Sequence, residues 1–104
     1  MIDLAFTALA EPRRREILRV LADRELAAGE IAARFDVTRP AISQHLGVLR
    51  EAGLVEERRE GTRRHYRVRT TGLEPVRAWL ESFWDERLDA LRVAAEAEAE
   101  GDRP

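Results

Sequence analysis

The sequence predicts a mainly α domain of the α+β class, with about five helices and one two-stranded β-hairpin. Over most of the 104 residues, apolar side chains recur at three- and four-residue spacing, which is typical of amphipathic helices. One segment differs, because two short β-prone runs flank Glu60 and Gly61, a dipeptide that signals a tight turn. The length suits one domain, and neither an internal repeat nor a long linker divides it.

Three short helices are predicted in the first third of the chain. Residues 2–10 begin with the amphipathic stretch IDLAFTAL, and EPRRREILRVLAD follows with Glu11 at the N-cap and Pro12 in the first turn. The third helix is predicted within LAAGEIAARFDV. The residues expected to face inward in the second and third helices are Ile17, Leu18, Leu21, Ile31, Ala32 and Phe35.

Residues 28–53 predict two helices joined by a turn at Asp36 and Val37. The second helix has Thr38 as its N-cap, and Gly53 suits the left-handed conformation that ends a helix. At about 100° per residue, the apolar side chains of this helix group within about 60° of arc. These side chains are Ile42, Leu46 and Leu49.

Residues 54–69 predict the hairpin, with strands in LVEERRE and TRRHYRVR. A helix-turn-helix followed by a hairpin is a winged helix-turn-helix. Four arginines straddle the tip, and like charges so close together are unfavourable unless a polyanion neutralises them. The alternative is a charged edge that only prevents aggregation. These arginines are Arg58, Arg59, Arg63 and Arg64.

Charge is segregated along the chain, although its net value is only −2. Residues 34–69 hold nine arginines and five acidic residues, whereas residues 74–104 hold four arginines and nine acidic residues. Such polarity can direct one face towards a polyanion. Together with the winged helix-turn-helix pattern, this polarity predicts double-stranded DNA as the partner.

The polar face of the second helix in the helix-turn-helix can read nucleobases. In the major groove, Arg pairs with guanine, Gln pairs with adenine, and hydroxyl groups reach bases or phosphates. An ordinary solvated face is the alternative, and the neighbouring arginines of the hairpin favour DNA. The predicted DNA-binding residues, in recognition helix 38–52 and the wing, are Thr38, Arg39, Pro40, Ser43, Gln44, His45, Arg50, Arg58, Arg59, Arg63 and Arg64.

A long helix is predicted over residues 73–95, followed by a frayed acidic tail over about 96–104. A helix of ~20 residues spans about 30 Å, more than the small core can cover. Its surplus apolar surface predicts a two-fold contact with a second copy, and burial within one chain is the alternative. The predicted dimer-interface residues, from the first and last helices, are Ile2, Phe6, Leu9, Val76, Trp79, Leu80, Phe83, Trp84, Leu88 and Leu91.

Several classes of function are disfavoured. Cysteine is absent, and His45 and His65 have no histidine neighbour at ligand spacing, so neither a metal site nor a cofactor is expected. Ser43 and His45 lie two positions apart on one helix and point in different directions, which argues against nucleophilic catalysis. There is no convincing secretory signal and no apolar run of ~18 residues, so a cytoplasmic protein without a membrane segment is expected.

Two stretches closely resemble the ArsR-type winged helix-turn-helix transcriptional repressors over about residues 4–90. They are EPRRREIL and GEIAARFDVTRPAISQHLGVLREAGLVEERREGTRRHYRV, of which AISQHL leading into LREAGLV is the most specific part. The resemblance implies a homodimer that represses transcription from an inverted-repeat operator, usually at its own promoter. By position, it assigns Thr38, Arg39, Ser43, Gln44 and His45 to the recognition helix, and Arg63 and Arg64 to the wing.

The sequence departs from this family pattern at two places. Gly47 stands where Lys or Arg is common, which removes a phosphate contact. Many relatives bind metal through cysteines before the turn or through Asp and His in the last helix, whereas LAAGEIAARF has no soft ligand and the last helix has no histidine. The resemblance therefore extends to the metal-independent, cysteine-free members, and no inducer is identified. A winged helix used only for protein interaction is the alternative function.

Overall fold

The computed structural model describes residues 2–101, apart from the side chains of residues 85 and 86. The elements, in chain order, are α1 (Ile2–Leu9), α2 (Pro12–Val20), β1 (Leu26–Ala27), α3 (Ala28–Ala32), α4 (Arg39–Glu51), β2 (Val55–Glu60), β3 (Arg63–Val68) and α5 (Glu74–Gly101). A short 3-10 helix, Thr70–Leu73, precedes α5. The predicted class, with five α-helices and a hairpin wing, is confirmed.

The helix ends follow the local chemistry of the sequence. Glu11 caps α2, where its carboxylate accepts a hydrogen bond of 3.0 Å from the Arg13 backbone N–H. Thr38 caps α4 in the same way, because its Oγ1 accepts from the Ala41 N–H at 3.3 Å. Gly53 stands just beyond α4 with φ of 77°, in the left-handed region. The predictions for all three residues are confirmed.

The core of the unit that ends at Glu74 is built from the apolar stripes of α2, α3 and α4. Its largest fully buried side chains are Ile17, Leu21, Ile31, Ile42, Leu46, Leu49, Leu54 and Val55. Phe35, which was expected to face inward, is only half-buried. The Arg13 guanidinium lies 5.0 Å from its ring centroid, so a cation–π contact takes the place of deep burial.

The sheet has three strands in the order β1-β3-β2, all antiparallel to their neighbours. The predicted two-stranded hairpin is thus correct for β2 and β3 but incomplete, since Leu26 pairs with Tyr66 and Ala27 with His65. Two residues are too few to show the alternation that marks a strand. The hairpin loop is Gly61–Thr62, one residue later than the predicted turn, with φ of 63° at Gly61.

The segment after β3 runs close beside the end of α4. The Arg69 N–H donates to the Leu54 carbonyl at 2.9 Å, which closes the base of the hairpin. At Gly72, a Cβ atom would lie 1.8 Å from the Gly53 carbonyl oxygen. Only glycine permits this approach of two backbone segments.

Helix α5 belongs to a second unit that begins at Pro75. It continues to Gly101, beyond residue 96 where the predicted tail begins, and residues 102–104 of that tail lie outside the described chain. Alternating Ala and Glu, which are both strong helix formers, account for the extension. Within residues 2–101, no helix has both the length and the apolar character needed to cross a bilayer.

Candidate nucleic-acid interface

The first two turns of α4 present an exposed polar face on the side away from its buried stripe. The residues of this face are Thr38, Arg39, Pro40, Ser43 and Gln44, and all five are exposed. The Thr38 oxygen that caps the helix still carries a hydroxyl hydrogen that can be donated to a ligand. The structure therefore brings these five predicted residues together at the helix N-terminus.

An open groove of about 600 Å³ lies between the N-terminus of α4, the N-terminus of α3 and the wing. Arg39 and Ser43 line it on the helix side, and Arg63 and Arg64 line it on the wing side. The remaining lining residues are Ala27, Ala28, Gly29, Glu30, Thr62 and Tyr66. The groove carries three guanidinium groups and one carboxylate, that of Glu30, which lies 3.8 Å from Arg63 Nη2.

The hairpin register divides the four wing arginines between two faces. Arg59 pairs with Arg64, whereas Arg58 pairs with His65 and Glu60 with Arg63. Because successive side chains on a strand point to opposite faces, Arg59 and Arg64 share one face, and Arg58 and Arg63 share the other. The four arginines at the tip of the hairpin therefore form two pairs on opposite faces, not one cluster.

Glu57 organises the wing face that carries Arg59 and Arg64. Its side chain is 12% exposed, and its Oε2 accepts a hydrogen bond of 2.7 Å from Arg50 Nη1 in the last turn of α4. Its Oε1 lies 3.6 Å from Arg59 Nε and 3.5 Å from Arg64 Nε. Glu57 was not among the residues predicted from the sequence. Its position two residues before Arg59, on the same strand face, was the available signal.

Arg58 is neutralised within the chain. Its Nε donates to Glu25 Oε1 at 2.7 Å, and its Nη2 lies 3.2 Å from Glu60 Oε2. The hydrogen bond from Arg58 lowers the pKa of Glu25, and the same bond raises the pKa of Arg58. His65 Nε2 also lies 3.5 Å from Glu60 Oε2. Arg58 is therefore less available to a polyanion than the arginines that line the groove.

His45 does not belong to the exposed polar face of α4, and its imidazole contacts another side chain of the protein. It is half-buried, and its Nδ1 lies 3.3 Å from Arg14 Nη1. Arg14 also donates from Nε to the Ala8 carbonyl at 2.7 Å and from Nη2 to the Thr7 carbonyl at 3.2 Å. The structure thus separates His45 from the other recognition-helix residues and turns it towards α1 and α2.

Helix α5 exposes most of its large apolar side chains. Those exposed by 45% to 65% are Trp79, Phe83, Trp84, Leu88, Leu91 and Val93, of which Val93 was not anticipated. The rings of Trp79 and Phe83 pack edge-to-face with centroids 4.7 Å apart.

The other residues predicted for the dimer interface are more covered. Val76 is buried, Leu80 is half-buried, and Ile2, Phe6 and Leu9 of α1 are half-buried. Leu4 of α1 is 47% exposed, although it was not among the residues predicted for the dimer interface.

The part of the chain that the structure describes contains no group of three or more His, Cys, Asp or Glu residues placed to hold a metal ion. The groove beside α4 is lined by arginine, serine, threonine and tyrosine, whose donors suit phosphate and nucleobase acceptors. The arrangement is chemically suited to hydrogen bonding and charge neutralisation.

Comparison with known proteins identifies the family of the chain. Residues 11–57 match the model of the family described as bacterial regulatory protein, arsR family. The chain is 46% identical over 98 residues to the HTH-type transcriptional regulator Rv2034 of Mycobacterium tuberculosis, which covers 94% of this chain and 92% of the relative. It is 36% identical to the transcriptional repressor SdpR of Bacillus subtilis, over 75% of this chain and 87% of the relative.

Solved structures give the same result for the fold. A homodimeric winged helix-turn-helix DNA-binding domain of Mycobacterium bovis, solved by NMR, superposes with a TM-score of 0.66 at 36% identity. The match covers 86% of this chain and 82% of that one. The elements, the groove beside α4 and the extent of these matches lead to one conclusion: the chain belongs to the ArsR family of winged helix-turn-helix transcriptional regulators.

Proposed function

We propose that the protein is a homodimeric transcriptional repressor that binds a pseudo-palindromic operator. Helix α4 enters the major groove, and the wing contacts the flanking backbone and minor groove. The observation that carries this proposal is the groove in which Arg39 of α4 faces Arg63 and Arg64 of the wing. Helix and wing can therefore contact one DNA duplex at the same time.

Base recognition is assigned to the exposed N-terminal half of α4. Gln44 is proposed to pair with adenine, Arg39 with guanine, and Ser43 with a base or a phosphate. Thr38 and Pro40 adjoin them at the helix start, where the backbone can approach the DNA. Arg50, Arg59, Arg63 and Arg64 are proposed to neutralise phosphates, because one carboxylate, that of Glu57, is shared by three of them and only Glu30 lies near the fourth. Smaller contributions are proposed for Arg58, which is paired with two carboxylates, and for His45, which is half-buried beside Arg14.

Dimerisation is assigned to α1 and α5. Exposed tryptophan, phenylalanine and leucine side chains on α5 form the kind of apolar surface that a self-complementary contact covers. The homodimeric state of the Mycobacterium bovis relative supports dimerisation of this chain. A dimer presents two copies of α4, which match half-sites about one helical turn of DNA apart.

Repression is proposed because the relative SdpR is a transcriptional repressor, and the simplest form that we propose for this chain is autorepression. The signal is proposed to be independent of metal and of cysteine, and no cofactor is assigned. A DNA target implies action in the cytoplasm. A reporter fused to the DNA upstream of the gene should fall in activity when the protein is supplied, and a rise would indicate an activator.

The central experiment is selection of binding sites from randomised duplexes by the purified protein, combined with sedimentation of the free protein. The expected results are a dimer and an enriched sequence with two-fold symmetry and half-sites about one helical turn apart. Arg39→Gln should abolish enrichment. Arg77→Gln, an equal charge change on α5, should not. If the wild-type protein enriches no sequence, the alternative of a protein-interaction module is favoured.

A further inference from the structure

The carboxylate of Glu57 lies where α4 meets the wing and faces the guanidinium groups of Arg50, Arg59 and Arg64. We propose that Glu57 is a positioning residue that determines DNA specificity. It holds these three arginines in place on one surface, and its negative charge opposes their binding to DNA of arbitrary sequence. This inference rests on the proposed function, because it requires that this surface meets DNA.

The first part of the proposal concerns the two arginines on the wing. Arg59 and Arg64 are direct cross-strand partners, and like charges at such positions repel each other. Oε1 of Glu57 lies within 3.6 Å of both Nε atoms and offsets this repulsion. Without the carboxylate, each long side chain would turn away into solvent, and the pair would lose its common orientation.

The second part concerns the angle between helix and wing. Arg50 lies in the last turn of α4 and Glu57 in the middle of β2, on opposite sides of the bend at Gly53. Their hydrogen bond of 2.7 Å ties the helix end to the wing across that bend. Two grooves of DNA can be contacted together only if this angle is maintained, so the bond favours a site that fits both elements.

The third part is electrostatic. Phosphate contacts supply nearly all of the affinity for DNA of arbitrary sequence. A wing arginine, Arg59 or Arg64, must leave its longer contact with Glu57 in order to bind a phosphate, and the carboxylate itself repels the DNA backbone. Removal of this charge should therefore strengthen binding to arbitrary DNA, although it loosens the geometry that a specific site requires.

The test compares Glu57→Gln, which keeps the shape and removes the charge, with Glu56→Gln. Glu56 is the adjacent residue on the opposite strand face and pairs with Arg67 at 2.7 Å, so its variant carries an equal charge change. The probes are the duplex that the wild-type protein enriches from a randomised pool and a scrambled duplex of equal length and composition. Dissociation constants for both duplexes are measured at several salt concentrations, and melting temperatures monitor folding.

Glu57→Gln should bind the scrambled duplex about two- to fivefold more tightly, the range that couplings of exposed ion pairs span. The ratio of affinities for the enriched and scrambled duplexes should fall by at least the same factor. Glu56→Gln should keep the wild-type ratio. Equal ratios in the two variants would show that net charge, not position, matters, and would overturn the proposal.

The ratio of affinities for the enriched and scrambled duplexes distinguishes the positioning role from a purely structural one. If Glu57→Gln melts at a lower temperature but keeps the wild-type ratio, the positioning role is wrong. Glu57→Asp provides a second test, since it keeps the charge and shortens the reach by one methylene. It should lower the ratio and leave the affinity for the scrambled duplex unchanged, and a wild-type ratio would overturn the proposal. If the wild type enriches no sequence, the proposed function fails and this inference fails with it.

Discussion

Arg14 and His45 are in contact, with Nη1 of the guanidinium 3.3 Å from Nδ1 of the imidazole. The same guanidinium donates to the Thr7 and Ala8 carbonyls at the C-terminal end of α1, where a positive charge also complements the helix dipole. One side chain therefore connects α1, which is proposed to join the dimer interface, with α4, which is proposed to read DNA.

This connection predicts that Arg14→Met weakens binding to the enriched duplex. Loss of the contact with His45 should reduce the free energy of binding to the enriched duplex by about 1 kcal/mol, the typical net value of a hydrogen bond. Arg15→Met is the matched control, because Arg15 also donates to a carbonyl of α1, that of Leu9, at 2.7 Å. The two variants remove equal charges. Titrations with labelled duplex would measure both affinities, and equal losses in the two variants would contradict the role of the Arg14–His45 contact.

Gln44→Ala should remove about 1–3 kcal/mol of discrimination at one base position of each half-site. The side chain lies on the exposed polar face of α4 and can bond adenine with both its donor and its acceptor. Competition with duplexes substituted one position at a time would identify that base. An equal loss of affinity on enriched and scrambled DNA would argue against base recognition by Gln44.

Arg63→Ala should weaken binding to all sequences and reduce the slope of log affinity against log salt by about 2 for the proposed dimer, which is about 1 for each subunit. The reason is the loss of one cation from the groove between wing and helix. Affinities over a range of salt concentrations measure the slope, with Arg77→Ala on α5 as a control of equal charge. An unchanged slope would mean that Arg63 does not meet the DNA backbone.

Substitution of alanine at two glycine positions should change the free energy of unfolding in opposite directions. At Gly47, in the middle of α4, no atom lies within 4 Å of an added Cβ, so Gly47→Ala should raise the free energy of unfolding by about 1 kcal/mol. At Gly72, the Cβ would collide with the Gly53 carbonyl, and Gly72→Ala should lower it by roughly 1–3 kcal/mol. Urea unfolding would measure both changes. A stable Gly72→Ala variant would contradict the close approach of the two segments.

The Glu25–Arg58 pair should stabilise the fold in a pH-dependent way. Arg58 lowers the pKa of Glu25 in the folded state, so the contribution is complete above the ordinary glutamate value of about 4.3 and is lost as pH falls through the lowered value. Melting temperatures of wild type and Glu25→Gln should therefore differ near neutral pH and converge under acid conditions. A difference that persists at low pH would exclude this ionisation as its source.

Local patterns in the sequence were sufficient for most of the fold. The cap at Thr38, the stop at Gly53 and the buried stripe of Ile42, Leu46 and Leu49 each depend on neighbours within about one or two helical turns. Such features are encoded in periodicity and in the backbone preferences of single residues. The exposed reading face of α4 follows from the same pattern, because it lies opposite the stripe.

The arrangement of charge was decided only by tertiary structure. Strand register places Arg59 opposite Arg64, pairing across 33 positions brings Arg58 to Glu25, and the bend at Gly53 brings Arg50 to Glu57. The contact between Arg14 and His45 spans 31 positions. The order of residues in the sequence alone determined that this chain concentrates arginine in its middle third. Which of those arginines remain available to a polyanion depends on partners far along the chain, because long side chains pair through space rather than along the sequence.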